Sequence, residues 1–375
     1  MKKIITIILI ACLAISAAAL VGCTEKNEGA RESGGVVNVY NWGEYISDGE
    51  DNTLDVIKEF EEKYNIKVNY VTFESNEQMY DRLTRGGEGE YDVIFPSDYM
   101  AERLLEEGRL ELLNFTNIPN IYQIDERYTS EAFGFRQNKA TDSNLSSMQT
   151  CTVPYMWGTV GIIYNTTMMD QAPTGWDAFF DPVNKDDALM FINERDSFMI
   201  AQKYLGIDLN TEDEAELNRA ADALKKQKED GIVHAYIQDE MFEMMASGEA
   251  ALCSAYLGDI YTMIDDNPDL AYVFPKEGTN VFVDVMAIPK GAKNKENAEK
   301  FINFMCEKEI ALANIEYTNY STPHKGVFEE LDDEVKNDEF AYPTAEFIKE
   351  NCVIYKNLSA KANKLLADLW IDIKS

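Results

Sequence analysis

Histidine is almost missing from this chain: His234 and His324 are the only two in 375 residues. His234 lies in an apolar run that reads as a strand, and His324 follows Thr322-Pro323 in a stretch that reads as a loop. No Gly-x-Ser-x-Gly nucleophile turn and no phosphate-cradling Gly-Lys-Ser motif accompanies either. These absences weigh against an enzyme, so no catalytic residue is assigned; an exported hydrolase remains the competing reading from another class. Basic residues are also scarce: 34 Lys and Arg stand against 67 Asp and Glu, a formal net charge of −33. Such a balance argues against nucleic acid and anionic lipid head groups as partners, and fits a cationic ligand only weakly. The six cysteines have no Cys-x-x-Cys spacing, so zinc is not expected. Cys151, Cys253, Cys306 and Cys352 lie in or beside apolar stretches and read as small buried thiols, with one disulfide left open. No metal and no cofactor is expected.

One apolar run stands out, residues 4–20, preceded by Lys2 and Lys3. It is short for a membrane span and ends in small residues, which reads as an export signal over residues 1–22. Leu20-Val21-Gly22-Cys23 resembles the lipobox of bacterial lipoproteins. The resemblance implies cleavage before Cys23 and a diacylglyceryl thioether on its sulfur. A plain secretory signal or an uncleaved anchor are the alternatives. Residues 23–35 then form the lipidated cysteine and a polar tether. Two or more acyl chains would hold the protein on the outer face of the cytoplasmic membrane, or in the periplasm of a cell with an outer membrane. The remaining chain of about 350 residues is long enough for two domains.

Strands and amphipathic helices alternate along that chain. A strand over 36–40 precedes a helical face of Leu54, Ile57, Phe60 and Tyr64. Ile66, Val68 and Tyr70 alternate as a strand, followed by a helix near 77–85, a Gly-rich turn at 86–89, a buried strand at 92–95 and a helix near 100–107. This βαβαβα start predicts an open α/β sheet. Further on, strands are expected at 161–164, 250–255 and 281–288, and helices at 239–247 and 296–307. Thr211 to Glu214 is expected to cap a helix carrying Leu217, Ala221 and Leu224. The first strand runs straight into Tyr40-Asn41-Trp42-Gly43-Glu44-Tyr45. Aromatic faces beside a carboxylate at a strand's carboxyl end suit an organic cation. Two α/β halves in an exported chain suggest a receptor that closes a cleft around a solute.

Several blocks carry a family resemblance: Tyr-Asn-Trp-x-Glu-Tyr (40–45), Glu-Ser-Asn-Glu-x-Met-Tyr (74–80), Tyr-Asp-Val-Ile-x-Pro-Ser (91–97) and Pro-Tyr-x-Trp-Gly (154–158). Pro-Lys-Glu-Gly (275–278), Asp-x-x-Ala-Ile-Pro (284–289), Ala-Lys-Asn-Lys-Glu (292–296) and Ile-Asn-Phe (302–304) follow in the same order. Together they make the chain resemble the bacterial spermidine/putrescine-binding proteins, the receptors of polyamine ABC importers. The resemblance implies a two-lobed α/β periplasmic-binding-protein fold with an interlobe ligand cleft. Lobe I would take 36–152 plus 285–335, and lobe II 153–284 plus 336–375. It also implies putrescine or spermidine as ligand, an ABC permease as partner, and a monomer.

Residue by residue, the resemblance makes Trp42 a ring for the methylene chain, with Glu44 and Tyr45 beside it. Gly43 stands where Thr or Ser is usual. Ser97 and Tyr99 match a hydroxyl pair at an ammonium end, with Asp98 as extra charge at the rim. Asn193 to Asp196 matches a segment with two ligand carboxylates; Asp196 is the second, and the first falls on Asn193, or on Glu194 after a one-residue shift. Tyr256 and Phe282 stand where Trp is usual, while Asp259 and Phe282 lean toward a putrescine-preferring branch. Tyr320 matches a ligand tyrosine. The family's late amide falls near Ile354 or Tyr355, where this chain has none. Trp157 reads as hinge packing. Independently of the family, Asp284 interrupts the apolar strand 281–288 with no Lys or Arg near it in sequence. A buried carboxylate needs a partner, either a distant residue or a ligand ammonium. A receptor for another cationic organic solute is the alternative within the binding class, and a ferric site on Tyr317 and Tyr320 is a remoter one.

Overall fold

The computed structural model describes residues 34–129 and 147–375. The export signal, Cys23 and all but the end of the tether lie outside the described residues. Residues 35–375 form one compact unit of ten strands with helices packed on both sides. The strands are β1 (Val36–Trp42), β2 (Lys67–Phe73), β3 (Val93–Ile94), β4 (Thr152–Asn165) and β5 (Ala188–Phe191), then β6 (Val233–Ile237), β7 (Leu252–Tyr256), β8 (Leu270–Val273), β9 (Thr279–Ala287) and β10 (Cys352–Ile354). Their order is β2-β1-β3-β9-β4-β7-β5-β6, with β10 added beside β9 and β8 beside β4. The parallel triplet β2-β1-β3 is what the βαβαβα pattern predicts.

The spine is β4, fourteen residues long and buried at nearly every position. Its first half runs antiparallel to β9, and its second half lies between β7 and β8. Only 161–164 was legible as a strand. Pro154 and Gly158 mask the first half, and the register with β9 shifts beside Pro154, which has no N–H to donate. The helix expected from a Thr211 cap is Glu214–Glu229, and Asp213 caps it instead, accepting from Ala215 N at 2.8 Å and Glu216 N at 3.1 Å. A carboxylate two residues nearer satisfies two free N–H groups, and the Thr211 hydroxyl bonds Glu216 instead.

Apolar cores fill both sides of the sheet system. One gathers Val39, Phe60, Phe95, Met286 and Phe301, and another Val160, Phe179, Met190, Phe198 and Leu217. Cys151, Cys253 and Cys306 are buried and Cys352 half-buried, all four as free thiols. Among the described residues no helix is long and apolar enough to cross a membrane.

Candidate functional site

Where the strand ends meet, a cleft encloses about 720 Å³, open solvent at its mouth included. All eleven residues singled out from the sequence line it: Trp42, Glu44, Tyr45, Ser97, Tyr99, Asp196, Tyr256, Asp259, Phe282, Asp284 and Tyr320. Local structure explains their convergence. Trp42 is the last residue of β1 and Tyr256 the last of β7. Glu77, Tyr99, Asp196 and Asp259 sit in the first turns of the helices Asn76–Thr84, Asp98–Glu106, Glu194–Leu205 and Leu257–Asp266. Helix N-termini carry partial positive charge, which favours the acids placed there. Asn193 fixes one of these turns by accepting from Asp196 N at 2.9 Å.

Among the described residues, six carboxylates line the cleft, from Glu44, Glu77, Asp196, Asp239, Asp259 and Asp284, and no Lys, Arg or His does. Besides Glu44, which accepts from Tyr317 at 3.0 Å, four of them are held by the hydroxyls of five further tyrosines. Tyr45 donates to Asp284 Oδ2 at 2.8 Å. Tyr256 and Tyr355 donate to the two oxygens of Asp196 at 2.5 and 3.0 Å. Tyr99 donates to Glu77 Oε1 at 2.9 Å, and Tyr320 to Asp259 Oδ1 at 2.9 Å. A phenol orients a carboxylate without neutralising it. Burial and the adjacent acids push all five phenols well above their ordinary range, so they stay protonated as donors.

The acids carry the cost. Burial pushes Asp284 up to about 7, against the pull of the Ser97 and Tyr45 hydroxyls. Asp259 is pushed up to about 8 by burial, with Asp239 and Glu44 adding to the rise. Glu77 and Asp196 are raised for the same first reason. Asp284 is 5% exposed, and its Oδ1 has no hydrogen-bond partner. An acceptor in that state lacks a donor, and a charged one lacks a counterion.

Rings form the other half of the wall. Tyr256 meets Phe282 edge-on at 5.4 Å, Phe282 meets Tyr320 at 6.4 Å, and Tyr320 meets Tyr45 at 4.9 Å. Trp42 donates its indole N–H to Phe95 O at 2.8 Å, leaving its ring to pack on Phe73 and face the cleft. The Ser97 Oγ accepts from Asn76 Nδ2 at 3.0 Å, so one lone pair is already used.

One expectation fails. Asp98 is buried rather than at the rim. It accepts from Tyr99 N at 2.7 Å and Val283 N at 3.2 Å, tying its helix to β9. The strand edge beside the helix start supplies donors that a rim position lacks. Of the two alternatives for the first carboxylate, Asn193 lines the cleft and Glu194 does not. Trp157 lies outside it, packed between Tyr128 and Tyr342. His234 is exposed beside Asp186, and His324 caps the helix Lys325–Glu330; neither reaches the cleft. Tyr317 and Tyr320 bond different acids, Glu44 and Asp259, and no cluster of metal-ligating side chains exists among the described residues.

Seven cleft residues escaped the sequence reading: Phe73, Asn76, Gln238 and Asn280, together with Glu77, Asp239 and Tyr355. Glu77 had a signal, an acid two residues past the Ser75 cap. Tyr355 takes the place where an amide was missed, and Asp239 follows β6; neither carries a local signature.

The chain matches the bacterial extracellular solute-binding proteins over residues 55–342. A spermidine/putrescine-binding periplasmic protein of Salmonella typhimurium is 32% identical, the match covering 83% of this chain and 84% of that one. A putrescine-binding periplasmic protein of Pseudomonas aeruginosa is 28% identical, covering 91% and 92%. The spermidine/putrescine ABC transporter substrate-binding protein of Streptococcus pneumoniae superposes with a TM-score of 0.68 at 34% identity, covering 90% and 98%. A Listeria monocytogenes protein assigned to a spermidine/putrescine ABC transporter superposes at 0.80, with the same identity and coverage. These relatives carry solutes for transport, in line with a binding protein rather than an enzyme. With a cleft of oriented acids on a two-lobed α/β frame, this chain belongs to the family of bacterial extracellular solute-binding proteins that includes the spermidine/putrescine-binding periplasmic proteins.

Proposed function

We propose that this protein is the receptor of a polyamine ABC importer, anchored through a lipid on Cys23 and acting as a monomer that hands its ligand to a permease. The observation that carries the reading is the set of buried carboxylates held by neutral phenols, with no protein cation among the lining residues. An extended putrescine or spermidine supplies what that wall lacks. Its ammonium groups pair with Asp284, Asp259 and Asp196, and its methylenes lie along Trp42, Tyr256 and Phe282. Each cation–π contact contributes about 0.5–2 kcal/mol when partly desolvated. Losing one buried charged partner costs several kcal/mol, about 3–5. Charge therefore sets affinity, while the rings set shape. Neutral sugars leave the acids unpaired and are rejected. In this reading the lobes are residues 36–152 with 285–335 and 153–284 with 336–375, hinged about β4 and β9.

The test is isothermal titration of the mature protein, unfolded and refolded to strip bound amine, with putrescine, cadaverine, spermidine and spermine. Micromolar or tighter binding to one or two of these supports the reading. Silence with all four, in heat and in thermal shift, sinks it and leaves a receptor for another cationic solute.

A further inference from the structure

Around Gly43 the cleft mouth holds charge that the inner site does not use. Asp239 Oδ2 sits only 2.2 Å from where a Cβ on Gly43 would stand. The carboxylate thus occupies the space a side chain at position 43 would fill. Asp239 is exposed at the mouth, and no hydrogen bond to its carboxylate appears among the described residues. Beside it, Gln238 Oε1 is buried with no donor. Burial, with the Glu44, Glu240 and Glu74 carboxylates adding to it, pushes Asp239 up to about 6. The rings lead outward to this point. Asp196 bonds Tyr256, Tyr256 packs on Phe282, Phe282 on Tyr320, and Tyr320 bonds Asp259, whose own rise comes partly from Asp239.

We infer that Asp239, admitted to the cleft by Gly43, is a specificity-determining residue that selects polyamines with a third ammonium over diamines. This rests on the polyamine reading above. A diamine is satisfied by two of the inner acids, Asp196, Asp284 and Asp259. A third ammonium, continuing past Asp259 toward solvent, meets Asp239. A hydroxyl-bearing side chain at position 43 would displace that carboxylate and close the outer subsite. Because Oδ2 is the free end of a side chain, a methyl at position 43 swings it away without disturbing the backbone.

The experiment measures spermidine and putrescine affinities by titration for the wild type, Asp239→Asn, Gly43→Ala and the double variant, with thermal melts to establish folding. An exposed ion pair predicts that each single variant lowers the spermidine-to-putrescine affinity ratio by about fivefold. The double variant should lower it no further, since both changes remove the same carboxylate from the same place. Equal losses for both amines, an unchanged ratio, or additive losses in the double variant overturn the inference while leaving the polyamine reading intact. A wild type that binds neither amine overturns both. Should Gly43→Ala fail to fold, Asp239→Asn alone decides by the same ratio.

Discussion

Asp284 is the residue on which affinity should turn. Its Oδ2 accepts a hydrogen bond from the Tyr45 hydroxyl and its Oδ1 has no partner, so a ligand ammonium would be its only counter-charge. Asp284→Asn keeps the shape and removes the charge, and should weaken polyamine binding at least about tenfold by titration. An unchanged affinity would show that the central carboxylate is not paired with the ligand. Tyr45→Phe is the subtler probe. It leaves the carboxylate in place and deletes its phenol donor, a hydrogen bond to a charged group worth about 1.5–3 kcal/mol. We expect an affinity loss of about tenfold, and the two substitutions together should lose less than the product of their separate effects. Full additivity would mean that Tyr45 acts on the ligand directly instead of through Asp284. Asp284 was legible in the sequence because a lone acid inside an apolar strand violates the burial rule. Tyr99, Tyr256 and Tyr320 were named only through the family resemblance, and Tyr355 was not named as a ligand residue, because it and Asp196 are 159 residues apart and only the fold joins them.

At the scale of elements, the helix Glu194–Leu205 places Asp196 through a single cap. Asn193→Ala removes the acceptor for Asp196 N and should cost about 1 kcal/mol of stability in a denaturant melt. It should also weaken ligand binding, since the acid's backbone is no longer held. Asn193→Asp keeps the cap and adds a carboxylate beside Asp196. Stability should then stay near wild type while polycation affinity rises. If Asn193→Asp binds no tighter than wild type while Asn193→Ala binds more weakly, position 193 acts only through the helix. The helix Asn76–Thr84 was readable to within a residue, as 77–85, with a Gly-rich turn at 86–89 after it, but its Ser75 cap went unread. The β4 spine was half hidden, because a strand that serves two sheets is buried on both faces, lacks alternation, and here contains Pro154 and Gly158. Asp239 was invisible for a related reason: a close approach to Gly43 is set by how β1 and β6 face one another, not by any local pattern.

For the whole molecule, the acids make folding and binding depend on pH in opposite directions. Asp284 and Asp259 ordinarily titrate near 4 but are raised to about 7 and about 8 in the empty fold. Between those limits the folded protein holds more protons than the unfolded chain. Stability from these groups is therefore fully present below about pH 4 and is lost as the pH climbs through 7 to 8. The empty protein should melt at a lower temperature at pH 8.5 than at pH 5.5. A bound ammonium favours the ionised acids, so it must displace their protons. Affinity should rise from pH 5.5 to pH 8.5, with net proton release on binding of about one per ligand near pH 7. Titrations at pH 7 in two buffers of different ionisation enthalpy read that number directly. The melting shift caused by ligand should likewise grow with pH, since the cation relieves the repulsion that destabilises the empty cleft. Proton uptake on binding, or an affinity flat across that range, would mean that the cleft acids are already ionised before the cation arrives. The source of selectivity would then lie in the rings.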